Sequence, residues 1–252
     1  MSDQAHHWSR AAATYEADYI DPYRPDVRNP LLKALEKLAS AEVRTAADLG
    51  CGIGPLLPVL AEQFATVYAV DFASGMLQRA RQRCAKLTNV EFVRTSLTDL
   101  RMLAGKVDVA VAVNSLVTPD LRDLEASLRQ IRAAVRPGGH FLGIAPAMDA
   151  VHYYTMLLVN RALASGQPID KARQNAARHA DHDLYDFAFG LFRYQGLDQH
   201  FWQPFEVRHW LRHSGFRRIR LSKVHLSWKQ FTCGEELSDQ QPPWDWFFQA
   251  DG

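Results

Sequence analysis

The stretch Thr45-Ala-Ala-Asp-Leu-Gly-Cys-Gly-Ile-Gly54, followed by Pro55-Leu-Leu-Pro-Val-Leu60, decides the fold. An apolar stub runs into an acid, Asp48. Glycines then stand at every second position: Gly50, Gly52 and Gly54. Leu56, Leu57, Leu60 and Phe64 follow at helical spacing. The pattern is strand, glycine-rich turn, helix. A turn this tight needs residues that tolerate unusual backbone angles and let a ligand approach the main chain. The helix beyond it, over about 55–65, presents unpaired N–H groups at its start.

The acid narrows the ligand. A dinucleotide site wants G-x-G-x-x-G with phosphate resting on the helix start. Here the third glycine comes one residue early, and counted from Gly52 instead, that spacing falls on Leu57. A carboxylate at Asp48 repels a pyrophosphate but accepts hydrogen bonds from an ammonium group. The ligand suggested is nucleoside-like, cationic and free of phosphate.

The stretch resembles the first motif of the class I S-adenosylmethionine-dependent methyltransferases, and later segments keep the resemblance in order. Val67-Tyr-Ala-Val-Asp71 is similar to that family's second strand. The resemblance implies that Asp71 holds the ribose hydroxyls, with Phe72 and Met76 flanking the adenine. Two adjacent hydroxyls can donate to one carboxylate; a helix N-cap is the alternative role. Val90-Glu-Phe-Val-Arg-Thr-Ser-Leu97 is similar to the third strand and its turn. Most relatives have an acid where this chain has Ser96, whose hydroxyl accepts more weakly. The Leu97 N–H remains to meet the ring, and Asp99 reads as a cap for the next short segment. Val107–Ser115 resembles the fourth strand, with Asn114 and Ser115 beneath the sulfonium or simply forming a turn. Leu128–Gly143, with Arg136-Pro-Gly-Gly139, resembles the helix, turn and fifth strand.

The resemblance spans about residues 43–146 and is nearest the small-molecule group that includes quinone-biosynthesis methyltransferases. Trp8-Ser-Arg-Ala-Ala-Ala-Thr-Tyr15 resembles the N-terminal segment of that group. That implies Tyr15 over the methionine end of the cofactor; a surface helix with Tyr15 packed on the sheet is the plainer reading. The implied S-adenosylmethionine contacts are thus Tyr15, Asp48, Gly50, Cys51, Gly52, Gly54, Asp71, Phe72, Met76, Ser96, Leu97, Asn114 and Ser115.

The 252 residues suffice for a full core and one domain. Net charge is +1, so no broad field for nucleic acid or anionic membrane exists. Cys51, Cys84 and Cys233 are three, widely spaced, and match no zinc pattern. The polar N-terminus and the lack of a long apolar run suit a cytoplasmic protein.

Residues 1–40 form an N-terminal helical segment, with Leu31, Leu32, Leu35 and Leu38 making an amphipathic helix. A helix over about 119–135 and a strand over 140–145 follow the fourth strand. Residues 147–203 break the alternation, and that length needs its own structure. Helices over about 150–164 and 168–195 are expected as a cap beside the ligand edge. Aromatic residues crowd the cap and suit a pocket for a flat or apolar molecule, although most would simply bury it on the sheet. His179-Ala-Asp-His-Asp183 raises a metal reading, but a solvated polar helix face explains it better. Gly215 stops a helix begun at Pro204, and strands follow at about 217–231 and 243–248, the last one antiparallel by the resemblance. The basic residues Arg208 to Lys223 read as a solvated helix and edge strand rather than an RNA site.

The expected architecture is a doubly wound, Rossmann-like α/β fold. It has a seven-stranded sheet, an antiparallel last strand and a helical cap insertion. The expected reaction is methyl transfer from S-adenosylmethionine to a small aromatic or apolar acceptor, without metal. A cofactor-binding regulator of the same fold and an RNA or protein methyltransferase are the rival readings. Should the acceptor need a base, His200, Tyr154 and His152 are the candidates.

Overall fold

Val107–Val113 is apolar at every position but Asp108, and in the computed structural model it forms the central strand of the sheet. The structure describes residues 2–39, 43–179, 189–194, 196–231 and 233–252. In chain order, helices α1 (Ser2–Ala11), α2 (Tyr15–Asp18) and α3 (Pro30–Leu38) precede β1 (Thr45–Leu49). Then come α4 (Leu57–Gln63), β2 (Thr66–Asp71), α5 (Ser74–Arg83), β3 (Val90–Arg94) and β4 (Val107–Val113). Helix α6 (Leu121–Ala134) leads into β5 (Val135–Pro146). Next are α7 (Met148–Ala164), α8 (Ile169–His179), β6 (Leu191–Tyr194) and β7 (Leu197–His200). Last come α9 (Pro204–His213), β8 (Arg217–His225) and β9 (Trp244–Asp251).

The main sheet runs β3-β2-β1-β4-β5-β9-β8. Its first five strands are parallel, and β9 lies antiparallel between β5 and β8. This is the Rossmann-like fold with an antiparallel insertion that the sequence predicts. Strand order reverses between β1 and β4, and at such a switch point the carboxyl ends of the strands open a crevice.

Each face of the sheet is covered. Leu124, Leu128 and Ile131 of α6 and Val207 and Leu211 of α9 bury one face. Leu31 and Leu35 of α3, Leu57 and Leu60 of α4 and Leu77 of α5 bury the other. Spacing at three and four places these side chains on one stripe of each helix. Asp120 caps α6 by accepting from Arg122 N at 2.8 Å, worth about 1 kcal/mol. At the edge away from the crevice, Asp108 accepts from Arg44 N and Thr45 N at 2.7 and 2.8 Å and pairs with Arg136.

The structure moves several predicted boundaries. Residues 168–195 do not form one helix: α8 ends at His179, and 191–200 form a β-hairpin, β6–β7. Gly190 and Gly196, both at positive φ, break the helical course there. Strand β8 stops at His225, where a 3-10 turn over Trp228–Gln230 takes over, its start held by Ser227. Strand β9 extends to Asp251, and β5 begins at Val135 rather than His140. Pro55 precedes α4 instead of starting it. Asp99 grips the Arg101 side chain at 2.7 Å instead of capping, and Leu100 holds the cap position.

Candidate functional site

The glycine turn follows β1 and is pinned to β2. Gly50 N and Cys51 N both donate to Val70 O, at 2.8 and 2.9 Å. Gly50 has φ +75, and a Cβ there would fall 2.3 Å from Ser115 Cβ. Ser115 is held in turn by its hydroxyl, which donates to Leu49 O at 2.7 Å. Gly52, at φ +54, is different: nothing lies within 4 Å of where its Cβ would be. One glycine is thus required by packing, and the other leaves open space on the crevice. Gly54, at φ +77, fits against Leu57 and Ala80 behind the turn.

Asp71 closes β2. Its Oδ2 accepts from Gly52 N at 2.9 Å and its Oδ1 from Ala73 N at 2.8 Å, at the start of α5. Each oxygen keeps a lone pair for a ligand hydroxyl. Burial raises the Asp71 pKa, while the N–H groups of Ala73 and Gly52 hold it back. Asp48 lies under the turn and is only 3% exposed. Burial, with the Asp71 charge adding to it, pushes its pKa up to about 7.

A cleft of about 130 Å³ opens above these residues. Gly50, Gly52, Asp71, Phe72 and Met76 line it, together with Ser96, Leu97, Asn114, Ser115 and Tyr15. Asp48, Cys51 and Gly54 stand behind the turn and do not line it. Ser96 shares a 2.9 Å hydrogen bond with the Thr98 hydroxyl, and Thr98 also faces the cleft.

Beside the cleft lies a larger cavity of about 630 Å³. Trp8, Tyr15, Asn114 and Gln199 wall both spaces. Tyr15 stacks on Tyr19 at 4.8 Å, and Tyr19 meets Tyr194 edge-on at 5.9 Å. Burial, with the Tyr19 and Asp71 charges adding to it, raises the Tyr15 hydroxyl pKa. From the sequence-predicted bases, the structure brings only Tyr154 to this cavity. Burial pushes the Tyr154 pKa up to about 12, and its ring packs 5.3 Å from Phe231. His152 is exposed on α7, outside both linings. His200 is 2% exposed, edge-on to Trp202 at 4.9 Å, and its pKa falls to about 4 through burial. It lines neither space.

Sequence reasoning missed Gln199 and Asp198 on the hairpin, Thr98, and Trp244 and Asp245 on β9. The signal for Gln199 was the alternation in Leu191–His200 around Gly196, which marks a hairpin. Among the described residues, no group of three or more His, Cys, Asp or Glu could hold a metal ion, and no helix is long and apolar enough to cross a membrane. Residues 180–183 of the histidine stretch, and Tyr185 and Phe187, lie outside the described residues.

Residues 46–139 match the family described as Methyltransferase domain. Residues 46–139 are thus similar to a methyltransferase domain. The match runs from β1 through α6 into β5, the part that builds the glycine turn and the cleft. Over 111 residues the chain is 31% identical to magnesium protoporphyrin IX methyltransferase of Arabidopsis thaliana, covering 40% of this chain and 35% of that protein. It is 32% identical over 98 residues to demethylmenaquinone methyltransferase of Clavibacter sepedonicus, covering 38% of each. The chain therefore matches well under half the length of these relatives. The methyltransferase fold extends further than the sequence match. The Burkholderia thailandensis 1,6-didemethyltoxoflavin-N1-methyltransferase, solved with S-adenosylhomocysteine, superposes with a TM-score of 0.61 at 16% identity, covering 99% of this chain and 85% of that one.

Proposed function

We propose that this protein transfers a methyl group from S-adenosylmethionine to a small aromatic or apolar acceptor. One observation carries the reading: a cleft built on Gly50, Gly52 and Asp71 shares its wall at Asn114 with a larger aromatic cavity. The residues fit the cofactor. Gly52 leaves space for a close approach to the backbone, Asp71 keeps lone pairs for ribose hydroxyls, and Phe72 and Met76 offer apolar faces to a purine. Asp48 and Asp71 supply negative charge behind the turn for a cationic ligand. When bound, S-adenosylmethionine supplies a methyl carbon already activated by its positive sulfur.

The chain then has to orient the acceptor and exclude water. Trp8 and Tyr15 of the N-terminal segment and Gln199 of the hairpin stand over both spaces and serve as the covering wall. In this reading residues 1–252 act as one unit, with residues 1–40 and 147–203 as its cap. The acceptors named for the Arabidopsis and Clavibacter relatives are ring compounds, in keeping with aromatic walls. A cytoplasmic location and the absence of a nucleic-acid partner belong to the same proposal.

Calorimetry with S-adenosylmethionine, S-adenosylhomocysteine and a nicotinamide dinucleotide tests it. Micromolar binding of the first two alone is expected, followed by labelled methyl transfer into a metabolite extract. Binding of the dinucleotide alone would sink the proposal.

A further inference from the structure

We infer that Asp245, hydrogen-bonded to Asn114, holds the acceptor's reacting N–H or O–H and takes its proton, so that the acceptor is a protic nitrogen or oxygen nucleophile. The inference rests on the methyl-transfer reading above and adds to it the base and the acceptor class.

Topology puts Asp245 there. Strand β9 runs antiparallel, so its first residues reach the sheet edge where the parallel strands end. Asp245 pairs with Pro146 on β5 and with Val224 on β8. It lines the larger cavity and is 7% exposed. Its partners are the Asn114 side chain and the backbone N–H of Ala147. Among the described residues no ion pair includes it. A buried carboxyl without a cation is costly in an aromatic cavity and calls for a ligand partner.

Asn114 is the second observation. It follows β4, takes φ +50 although it is not glycine, and lines both spaces. A non-glycine residue held in that region points to a functional constraint. Its Oδ1 is buried without a hydrogen-bond partner. Such partnerless atoms among the described residues belong to His7, Gln63, Asn114, His200, Gln230 and Trp244, and three of these six residues, Asn114, Gln230 and Trp244, line this one cavity. Each unmade bond marks a place for a ligand's polar atom. Asn114 Oδ1 takes a donor beside the cofactor cleft, while Gln230 Nε2 and Trp244 Nε1 offer donors to an oxygen elsewhere on the ligand.

The step balances without another reagent. The lone pair on the acceptor's nitrogen or oxygen forms the bond to the methyl carbon. The carbon–sulfur bond breaks, its electrons stay on sulfur, and S-adenosylhomocysteine leaves as a neutral thioether. The proton on the nitrogen or oxygen passes to the Asp245 carboxylate and then to water.

The electrostatics suit this role. Burial pushes the Asp245 pKa up to about 7, with Asn114 and Ala147 holding it back. A base of that strength is half ionised near neutrality. The other ionisable groups on the cavity wall include Tyr15, Tyr154 and three charged residues with partners of their own: Glu16 faces Arg79 and Arg83, and Arg24 and Lys229 face Asp26. Lys223, stacked over Trp244 at 3.2 Å, and Asp149, bonded to Trp246, are the nearest charged side chains along β9, and neither lines the cavity. His225, paired in register with Trp244, does not line the cavity either.

Catechol as an O–H probe and phenethylamine as an N–H probe test the assignment on the full chain loaded with S-adenosylhomocysteine. At least one should bind wild type by calorimetry, and the one that binds tells oxygen from nitrogen. Its affinity should fall at least tenfold in Asp245→Asn and in Asn114→Gly, the latter keeping the positive φ. S-adenosylhomocysteine should bind Asp245→Asn within twofold of wild type. In an Asp48→Asn background, which removes the other carboxyl raised to about 7, a carboxylic-acid infrared band titrating near pH 7 should vanish on adding Asp245→Asn. Should the bound probe accept a methyl, kcat falls about 100-fold in that variant and its rise through pH 7 disappears. Unchanged probe affinity, no binding of either probe to wild type, or an unaltered infrared titration overturns the inference. Loss of S-adenosylhomocysteine binding by wild type would instead overturn the methyl-transfer reading itself.

Discussion

The amide N–H of Gly52 donates to Asp71 Oδ2 at 2.9 Å, tying the glycine turn after β1 to the end of β2. The same carboxylate accepts from Ala73 N, just ahead of α5. Asp71→Ala therefore removes a tether, a turn hydrogen bond and the proposed ribose acceptor together. Hydrogen bonds to a charged group are worth about 1.5–3 kcal/mol each. S-adenosylhomocysteine affinity should fall about 10- to 100-fold by calorimetry. Asp71→Asn keeps the shape and one acceptor oxygen, so its loss should be smaller.

Gly50 and Gly52 should respond differently to alanine. Gly50→Ala brings a methyl group to 2.3 Å from Ser115 Cβ and adds left-handed strain, so denaturant unfolding should show a loss of about 2–4 kcal/mol. Ser115→Gly in that background should recover only the packing part. Gly52→Ala meets nothing within 4 Å and should cost about 1 kcal/mol. Its methyl group enters the cleft, so cofactor affinity should drop more than stability does.

Stability should fall as pH rises across about 4 to 7. Asp48 and Asp245 are raised from the ordinary 3.8 to about 7 in the folded chain. Between those values the folded state holds protons that the unfolded state has lost. The stabilising effect is complete below 3.8 and gone above about 7. By linkage each carboxyl accounts for on the order of 2–4 kcal/mol. Asp48→Asn should flatten this slope in urea titrations and stabilise the ligand-free protein at pH 8. It should also weaken binding of cationic S-adenosylmethionine more than that of neutral S-adenosylhomocysteine.

Helix α1 comes closest to the α5 backbone at a small residue, Gly75. Gly75 N donates to Ser9 Oγ at 3.3 Å, and a Cβ on Gly75 would lie 2.4 Å from Ser9 O. Gly75→Leu should push α1 aside, carrying Trp8 off both cavities. The main core excludes α1, so the melting temperature should change by only a few degrees. Cofactor affinity should fall about tenfold, with increased protease cutting within residues 1–14.

The sheet was legible because its signals are local. The β1 glycine turn, the continuous apolar run of β4 and the alternating helices need no distant contact to be recognised. The cap was not, since Tyr185 and its neighbours carry no clear period and the hairpin at 191–200 hides a short alternation behind bulky aromatic residues. The His200 assignment failed to reach either cavity for a related reason. Histidine chemistry can be read from a residue letter, whereas burial against Trp202 depends on a strand pairing seen only in three dimensions. Asp245 could have been found: an antiparallel strand must start where its parallel neighbour ends, so its first residues reach the crevice edge of the sheet.

Strand β9 also constrains how the protein is made. It fills the gap between β5 and β8, yet it emerges roughly a hundred residues after β5. During synthesis the open flank of β5 must wait, exposed to any other extended chain, until that late segment arrives. A ribosome paused before Trp244 would hold a nascent chain with its glycine turn already shaped and its sheet unfinished. Such a chain is a natural client for a chaperone.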